Sequence, residues 1–119
     1  KLFDNKYIRG NKMKYVVDID GTICDKAMNN NYSESVPNKE RIEKINELYD
    51  LGHVIIYQTA RGMGRYNNNP LRAIQEFYSM TAEQLDSWGA KYHLLVLGKP
   101  AGDVYIDDKG VSDADFFKQ

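Results

Sequence analysis

Hydrophobic and polar positions along this chain switch between two periods. Tyr15-Val16-Val17 is a short apolar, β-favouring run, the pattern of a strand inside a parallel sheet. Ile42, Ile45, Leu48 and Leu51 recur at every third position, the inward stripe of an amphipathic helix, and Gly52 follows as a stop. His53 to Tyr57 is a second apolar strand and runs into Gln58-Thr59-Ala60-Arg61. Leu71, Ile74, Phe77 and Tyr78 mark another helix, and Thr81-Ala82-Glu83-Gln84 has the spacing of a capping box that opens a further helical turn, with Leu85 and Trp88 buried. His93 to Leu97 predicts a third strand and Asp103 to Ile106 a fourth, while Asp113 to Gln119 predicts a short helix that packs Phe116 and Phe117 on the domain. Between these elements lie polar loops, Cys24 to Asn38 and Gly62 to Pro70, the second carrying Asn67-Asn68-Asn69.

Strands alternating with helices predict an α/β domain, a parallel sheet covered by helices on both faces. Right-handed crossovers bring all strand carboxyl ends to one edge, and open α/β sheets bind ligands there. That edge collects Asp18 and Asp20 after the first strand, Thr59 after the second, Lys99 after the third and Asp107-Asp108 after the fourth.

Composition narrows this picture only slightly. The 119 residues read as one domain, with residues 1–12 an N-terminal extension or appended stretch and residues 13–119 the core; Met13 offers a natural start. A hydrophobic share of 42%, a charged share of 28% and a net charge of -1 are ordinary for a globular protein and give no overall pull toward nucleic acid or membrane. No apolar run approaches the roughly 18 residues of a membrane span. A single cysteine, Cys24, excludes an internal disulfide and fits a reducing cytoplasm.

The chemistry lies in the carboxylates. Two ionised acids at about 5 Å repel by roughly 3 kcal/mol at an effective dielectric of about 20. A crowd of Asp18, Asp20, Asp107 and Asp108 therefore asks for protonation or a cation. Oxygen-only ligands suit Mg²⁺, which leaves positions for water and a phosphate oxygen. Gly21 and Thr22 offer turn N–H donors, Thr59 a hydroxyl and Lys99 a positive charge. One aspartate would be a nucleophile toward phosphorus, and a second, two residues on, an acid and base.

The strings DIDGT at Asp18 to Thr22, an apolar strand ending in Thr59, Lys99, and YIDD ending in Asp108 stand in the order of the four motifs of the haloacid dehalogenase (HAD) superfamily of phosphohydrolases, which the chain resembles. The resemblance implies a Rossmann-like sheet of five or so parallel strands, Asp18 as nucleophile, Asp20 as general acid and base, and Thr59 and Lys99 as phosphate binders. It implies Mg²⁺ held by Asp18, the Asp20 carbonyl and one of Asp107 and Asp108, more readily Asp107. The gaps after the first and second motifs leave no room for a separate cap domain, so the chain resembles capless members, whose site is closed by a large substrate or by a neighbouring subunit of a homo-oligomer. TARGM at Thr59 to Met63, with GKP and YIDDK, resembles phosphatases labelled for capsular-polysaccharide biosynthesis.

The reading is a Mg²⁺-dependent phosphatase acting on a small phosphorylated metabolite, such as a sugar phosphate, through an aspartyl-phosphate. The alternatives are a phosphatase for nucleotides or nucleic-acid ends, against which no basic stripe with stacking aromatics stands, and a non-catalytic phosphate-binding module, against which the acid set is intact. Ala60 and Arg61 are further substrate-binding candidates; Arg61 either meets substrate or pairs with the acidic edge. Lys109 is the rival of Lys99 for the phosphate, and Asp113 would reach a metal only through water.

Overall fold

The computed structural model describes residues 12–118. Apart from Lys12, the expected N-terminal extension lies outside the described residues. The elements run β1 (Lys14–Asp18), two single 3₁₀ turns (Met28–Asn30 and Tyr32–Glu34), α1 (Lys39–Asp50), β2 (Val54–Thr59), α2 (Pro70–Ser87), β3 (Leu94–Leu97) and α3 (Asp113–Phe117).

The three strands form a parallel sheet in the order β1-β2-β3. Lys14 pairs with Val54 and Asp18 with Gln58; Ile56 pairs with Leu94 and Thr59 with Leu97. This register brings Asp18, Gln58 and Val96 level with one another. Burial alternates along every strand. Tyr15, Val17, Ile55, Tyr57, Thr59, Leu95 and Leu97 are buried, whereas Val16, Leu94 and Val96 are exposed. Crossovers of the usual right hand that advance in the same direction would put both helices on the same face, and the alternation of burial agrees. The expectation of helices on both faces and of five or so strands is thus not met among the described residues.

Asn38 caps α1, accepting from the backbone N–H of Arg41, and Ile42, Ile45 and Leu48 are its buried stripe. Leu51, expected to continue that stripe, is the C-cap residue and is exposed. Asn69 caps α2 by accepting from the N–H groups of Leu71 and Arg72, with Pro70 in the first turn, a position where its missing donor costs nothing. The helix then runs unbroken through Thr81. Its buried positions are Ala73, Phe77, Thr81 and Leu85, so the inward stripe is displaced from the expected Leu71, Ile74 and Tyr78, which are exposed. Thr81 caps nothing; its hydroxyl is a buried acceptor for Arg61.

The fourth expected strand is absent, because local hydrogen bonds take its place. Tyr105 donates its hydroxyl to the Pro100 carbonyl and accepts from the Gly102 N–H. The Asp107 carboxylate accepts from the N–H groups of Lys109 and Gly110. Aspartate readily offers the backbone such an alternative to a sheet ladder. Val104 and Ile106 are left exposed. Phe116 and Phe117 of α3 are buried as expected, Phe116 against Tyr15 at 6.2 Å between ring centroids. His53 and His93 are structural: the Nδ1 of each accepts a backbone N–H, from Met13 and Ile55 respectively. Among the described residues no helix is long and apolar enough to cross a membrane.

Candidate active site

The site grows from the carboxyl ends of the strands. After Asp18 the chain continues the ladder for one more bond, from the Ile19 N–H to the Gln58 carbonyl, and then turns. Ile19 and Ile23 are fully buried and anchor this turn in the core. Gly21 sits at φ +83, in the left-handed region where a Cβ is penalised. Its N–H goes to the Cys24 carbonyl, and those of Thr22 and Ile23 go to the Ile19 carbonyl. The Gly21 and Thr22 N–H groups, expected to face phosphate, therefore serve the turn itself. What Thr22 presents to the site is its hydroxyl, 3.4 Å from Asp18 Oδ2.

Lys99 follows β3, and its own N–H bonds the Thr59 carbonyl at 3.3 Å, which ties the two strand ends together. Its Nζ lies 3.1 Å from Asp18 Oδ1 and 4.3 Å above the Tyr105 ring. Burial pushes the Asp18 carboxyl above its ordinary range; Lys99 pulls it back in part, and the nearby Asp20 charge adds to the rise.

Asp20 faces a different set of partners. Thr59 donates its hydroxyl to Asp20 Oδ2 at 3.2 Å. The Arg61 guanidinium meets the carboxylate side-on, with Nε 3.0 Å from Oδ2 and Nη2 3.0 Å from Oδ1. Arg61 is 1% exposed. Its remaining nitrogen, Nη1, donates to Gln84 Oε1 at 2.7 Å and to Thr81 Oγ1 at 3.3 Å, and the Tyr32 ring lies 4.8 Å from the guanidinium carbon. Of the two readings open for Arg61, pairing with the acidic edge is the one this geometry supports. Ala60, half-buried between Thr59 and Arg61, accepts the Met63 N–H through its carbonyl.

The second acidic pair is divided. Asp107 lines the same cavity of about 530 Å³ as Asp18, Thr22 and Lys99, beneath which lie Tyr15 and Phe116. Backbone N–H groups from Lys109 and Gly110 hold the Asp107 carboxyl below its usual range. Asp108 does not line that cavity; it stands exposed beside Lys109 Nζ at 3.2 Å. Asp113 lines the cavity too and is depressed by its hydrogen bond to Arg41 Nη1 at 2.7 Å. Among the described residues no three acids, histidines or cysteines stand close enough together to form a cation cage. The repulsion expected between Asp18 and Asp20 is met here by protein cations, Lys99 for one and Arg61 for the other.

Four contributors escape a reading of the sequence. Tyr32, Thr81 and Gln84 surround Arg61, and Arg41 joins the first turn to α3, donating to the Thr22 carbonyl at 3.0 Å as well as to Asp113. Thr81 and Gln84 do stand out in the sequence, but as a capping box. Arg41 and Tyr32 carry no local signal. The thiol of Cys24 lies 3.6 Å from both the Ile19 carbonyl and Asp20 Oδ1. Burial, with the Asp20 charge, pushes it up to about 12.

No protein-family model matches the chain, and no curated protein matches it significantly. Among solved structures it is similar to a target protein from Vibrio cholerae determined by crystallography. The two share 30% sequence identity and superpose with a TM-score of 0.82, over 90% of this chain and 89% of the other. At that identity and coverage, the chain belongs to the same family as the Vibrio cholerae protein.

Proposed function

We propose that this protein is a phosphatase of the HAD type, hydrolysing a phosphate monoester through an aspartyl-phosphate. We infer with it that β1, β2 and β3 are three consecutive strands of a Rossmann-like HAD sheet. The observation that carries the proposal is the convergence of four side chains from three strand ends: Asp18 with Lys99 at 3.1 Å, both lining a cavity of about 530 Å³, and Asp20 with Thr59 at 3.2 Å, outside that lining.

The chemistry follows from the positions. An Asp18 oxygen attacks phosphorus and the ester oxygen leaves with a proton from Asp20, giving an acyl phosphate and the free alcohol. Water then attacks the same phosphorus, Asp20 takes its proton, and the Asp18 carboxylate and inorganic phosphate are released. Lys99 screens the charge of the incoming phosphoryl group.

The donor set suits Mg²⁺ in kind, since every acid here offers oxygen. Mg²⁺ is commonly bound by one or two carboxylates with water and substrate phosphate, not by an all-protein cage. Asp18 and Asp107, which line one cavity, are the residues that would hold it, with the Asp20 backbone carbonyl that the family resemblance adds. Such an ion would neutralise charge between Asp18 and the phosphoryl oxygens.

The test is direct. Purified protein with Mg²⁺ should hydrolyse a generic aryl phosphate, EDTA should suppress the reaction, and Asp18→Asn should abolish turnover while leaving the fold intact. Retention of the rate in that variant would refute the nucleophile assignment. A panel of sugar phosphates, nucleotides and 3′-phosphorylated oligonucleotides then separates a metabolite phosphatase from one acting on nucleic-acid ends.

A further inference from the structure

The Arg61 guanidinium uses all three of its nitrogens inside the protein, and its side chain is 0% exposed. The Asp20 side chain it grips is 22% exposed. One end of the pair is sealed and the other is partly exposed. A fork that meets a carboxylate side-on fixes both the position and the plane of that carboxylate.

We propose that Arg61 is a positioning residue for Asp20 and does not contact substrate, and that Gln84 sets Arg61 in turn. This inference rests on the phosphatase reading, in which Asp20 moves the proton. The support is a chain of contacts that ends on the proton-transfer group. Gln84 accepts from Arg61 Nη1 at 2.7 Å and donates its own Nε2 to the Tyr32 carbonyl at 2.8 Å. Tyr32 covers the guanidinium with its ring, and its hydroxyl accepts the Gly62 N–H at 3.2 Å. Three regions of the chain, the Cys24–Asn38 loop, the turn after β2 and the C-terminal half of α2, thus meet on one guanidinium. The Thr59 hydroxyl completes the fit: it accepts the Arg61 N–H at 3.1 Å and donates a hydrogen bond to Asp20. A small displacement of Asp20 would misalign proton transfer while leaving Lys99, which is held on Asp18, in place. Misplacement by about 1 Å costs about 100-fold in rate.

The experiment compares Arg61→Lys, Arg61→Ala and Gln84→Met with the wild type on an aryl phosphate, reading kcat and KM separately. Thermal unfolding of Asp20→Asn, Arg61→Lys and the double variant is measured alongside. We expect kcat to fall about 100-fold in Arg61→Lys and about 10-fold in Gln84→Met, with KM little changed. Millimolar guanidinium should restore part of the Arg61→Ala rate without raising its melting temperature, and the melting cycle should show coupling between residues 20 and 61. A rise in KM at constant kcat would make Arg61 a substrate ligand and overturn the inference. So would a loss of rate that follows melting temperature alone and resists guanidinium. If the Arg61 variants do not fold, Gln84→Met decides: an unchanged kcat there refutes the proposal. Wild-type protein inert toward every phosphate ester sinks the phosphatase reading and the catalytic assignment with it, whereas an active wild type with no coupling between residues 20 and 61 sinks the clamp alone.

Discussion

Gly62, the residue after Arg61, gives a quantitative check on how firmly the second strand end is seated. Its φ is +81, and an ideal Cβ built on it would lie 2.6 Å from Phe77 Cδ2, 2.8 Å from Cε2 and 3.2 Å from the Ala73 Cα. Phe77 has little room to yield, because Tyr32 packs edge-on against it at 5.1 Å and the Arg65 guanidinium lies 5.5 Å from its ring centre. Gly52 provides the control: it has φ +98, but its Cβ would meet nothing within 4 Å. Gly52→Ala therefore isolates the left-handed backbone penalty, about 1–2 kcal/mol, less a few tenths regained from a stiffer unfolded chain. Gly62→Ala carries that penalty and overpacking of about 1–3 kcal/mol besides. Urea unfolding of both variants should place Gly62→Ala about 1–3 kcal/mol below Gly52→Ala. Because the Gly62 N–H also bonds Tyr32, its variant should lose turnover at temperatures where it remains folded. Equal costs for the two alanines would show that Phe77 moves freely and that the turn is not clamped against α2.

Other expectations follow from charge. Asp18 has a raised carboxyl, so its stabilising effect is present at low pH and is lost as pH rises through the raised value. Asp18→Asn should accordingly gain in melting temperature on the wild type between pH 3 and pH 7, with the unpaired Lys99 offsetting part of the gain, while its turnover is zero. Asp113 behaves in the opposite sense: its carboxyl is depressed by Arg41, so its contribution is complete above the ordinary carboxylate range and disappears as pH falls through the depressed value. The Asp113 side chain is 42% exposed, so Asp113→Asn should cost no more than about 1 kcal/mol at pH 7 and progressively less as pH falls through the depressed value, read from urea midpoints. Lys99→Met should raise KM for an aryl phosphate by at least about tenfold, because it removes the cation in contact with Asp18, and an unchanged KM would shift the phosphate-binding role to Lys109.

What could be read in advance was whatever local composition decides. Val16-Val17, Val54 to Tyr57 and Leu94 to Leu97 are β-favouring runs with no competing use, and all three are strands. That Asp18, Asp20, Thr59 and Lys99 gather at one edge follows from parallel strands ending there; which of them pair does not. The phase of α2 was hidden, because Leu71, Ile74 and Tyr78 are apolar yet exposed, while the inward Thr81 is polar. Thr81 is tolerated there because a buried cation uses its hydroxyl, a partner 20 residues away that no local pattern announces. The same distance hides the orientation of Arg61: beside a strand-end threonine, a guanidinium that turns inward and one that turns outward are spelled alike. Asp103 to Ile106 has strand composition, but Tyr105 and Asp107 close the segment on itself. The sheet reads as covered on both sides because Val16, Leu94 and Val96 are as apolar as their buried neighbours.

The sulfur of Cys24 gives the molecule a reporter it did not need to be engineered with. Buried under the first turn, with a thiol that burial and the Asp20 charge push well up, it offers little thiolate to an alkylating agent while that turn is closed. Each labelled molecule must therefore have opened around Asp18 to Cys24, and at neutral pH the alkylation rate counts those openings. Since the chain has no second cysteine, mass spectrometry of the intact protein would time the breathing of the very turn that holds the two aspartates, and any ligand that bridges them should slow the clock.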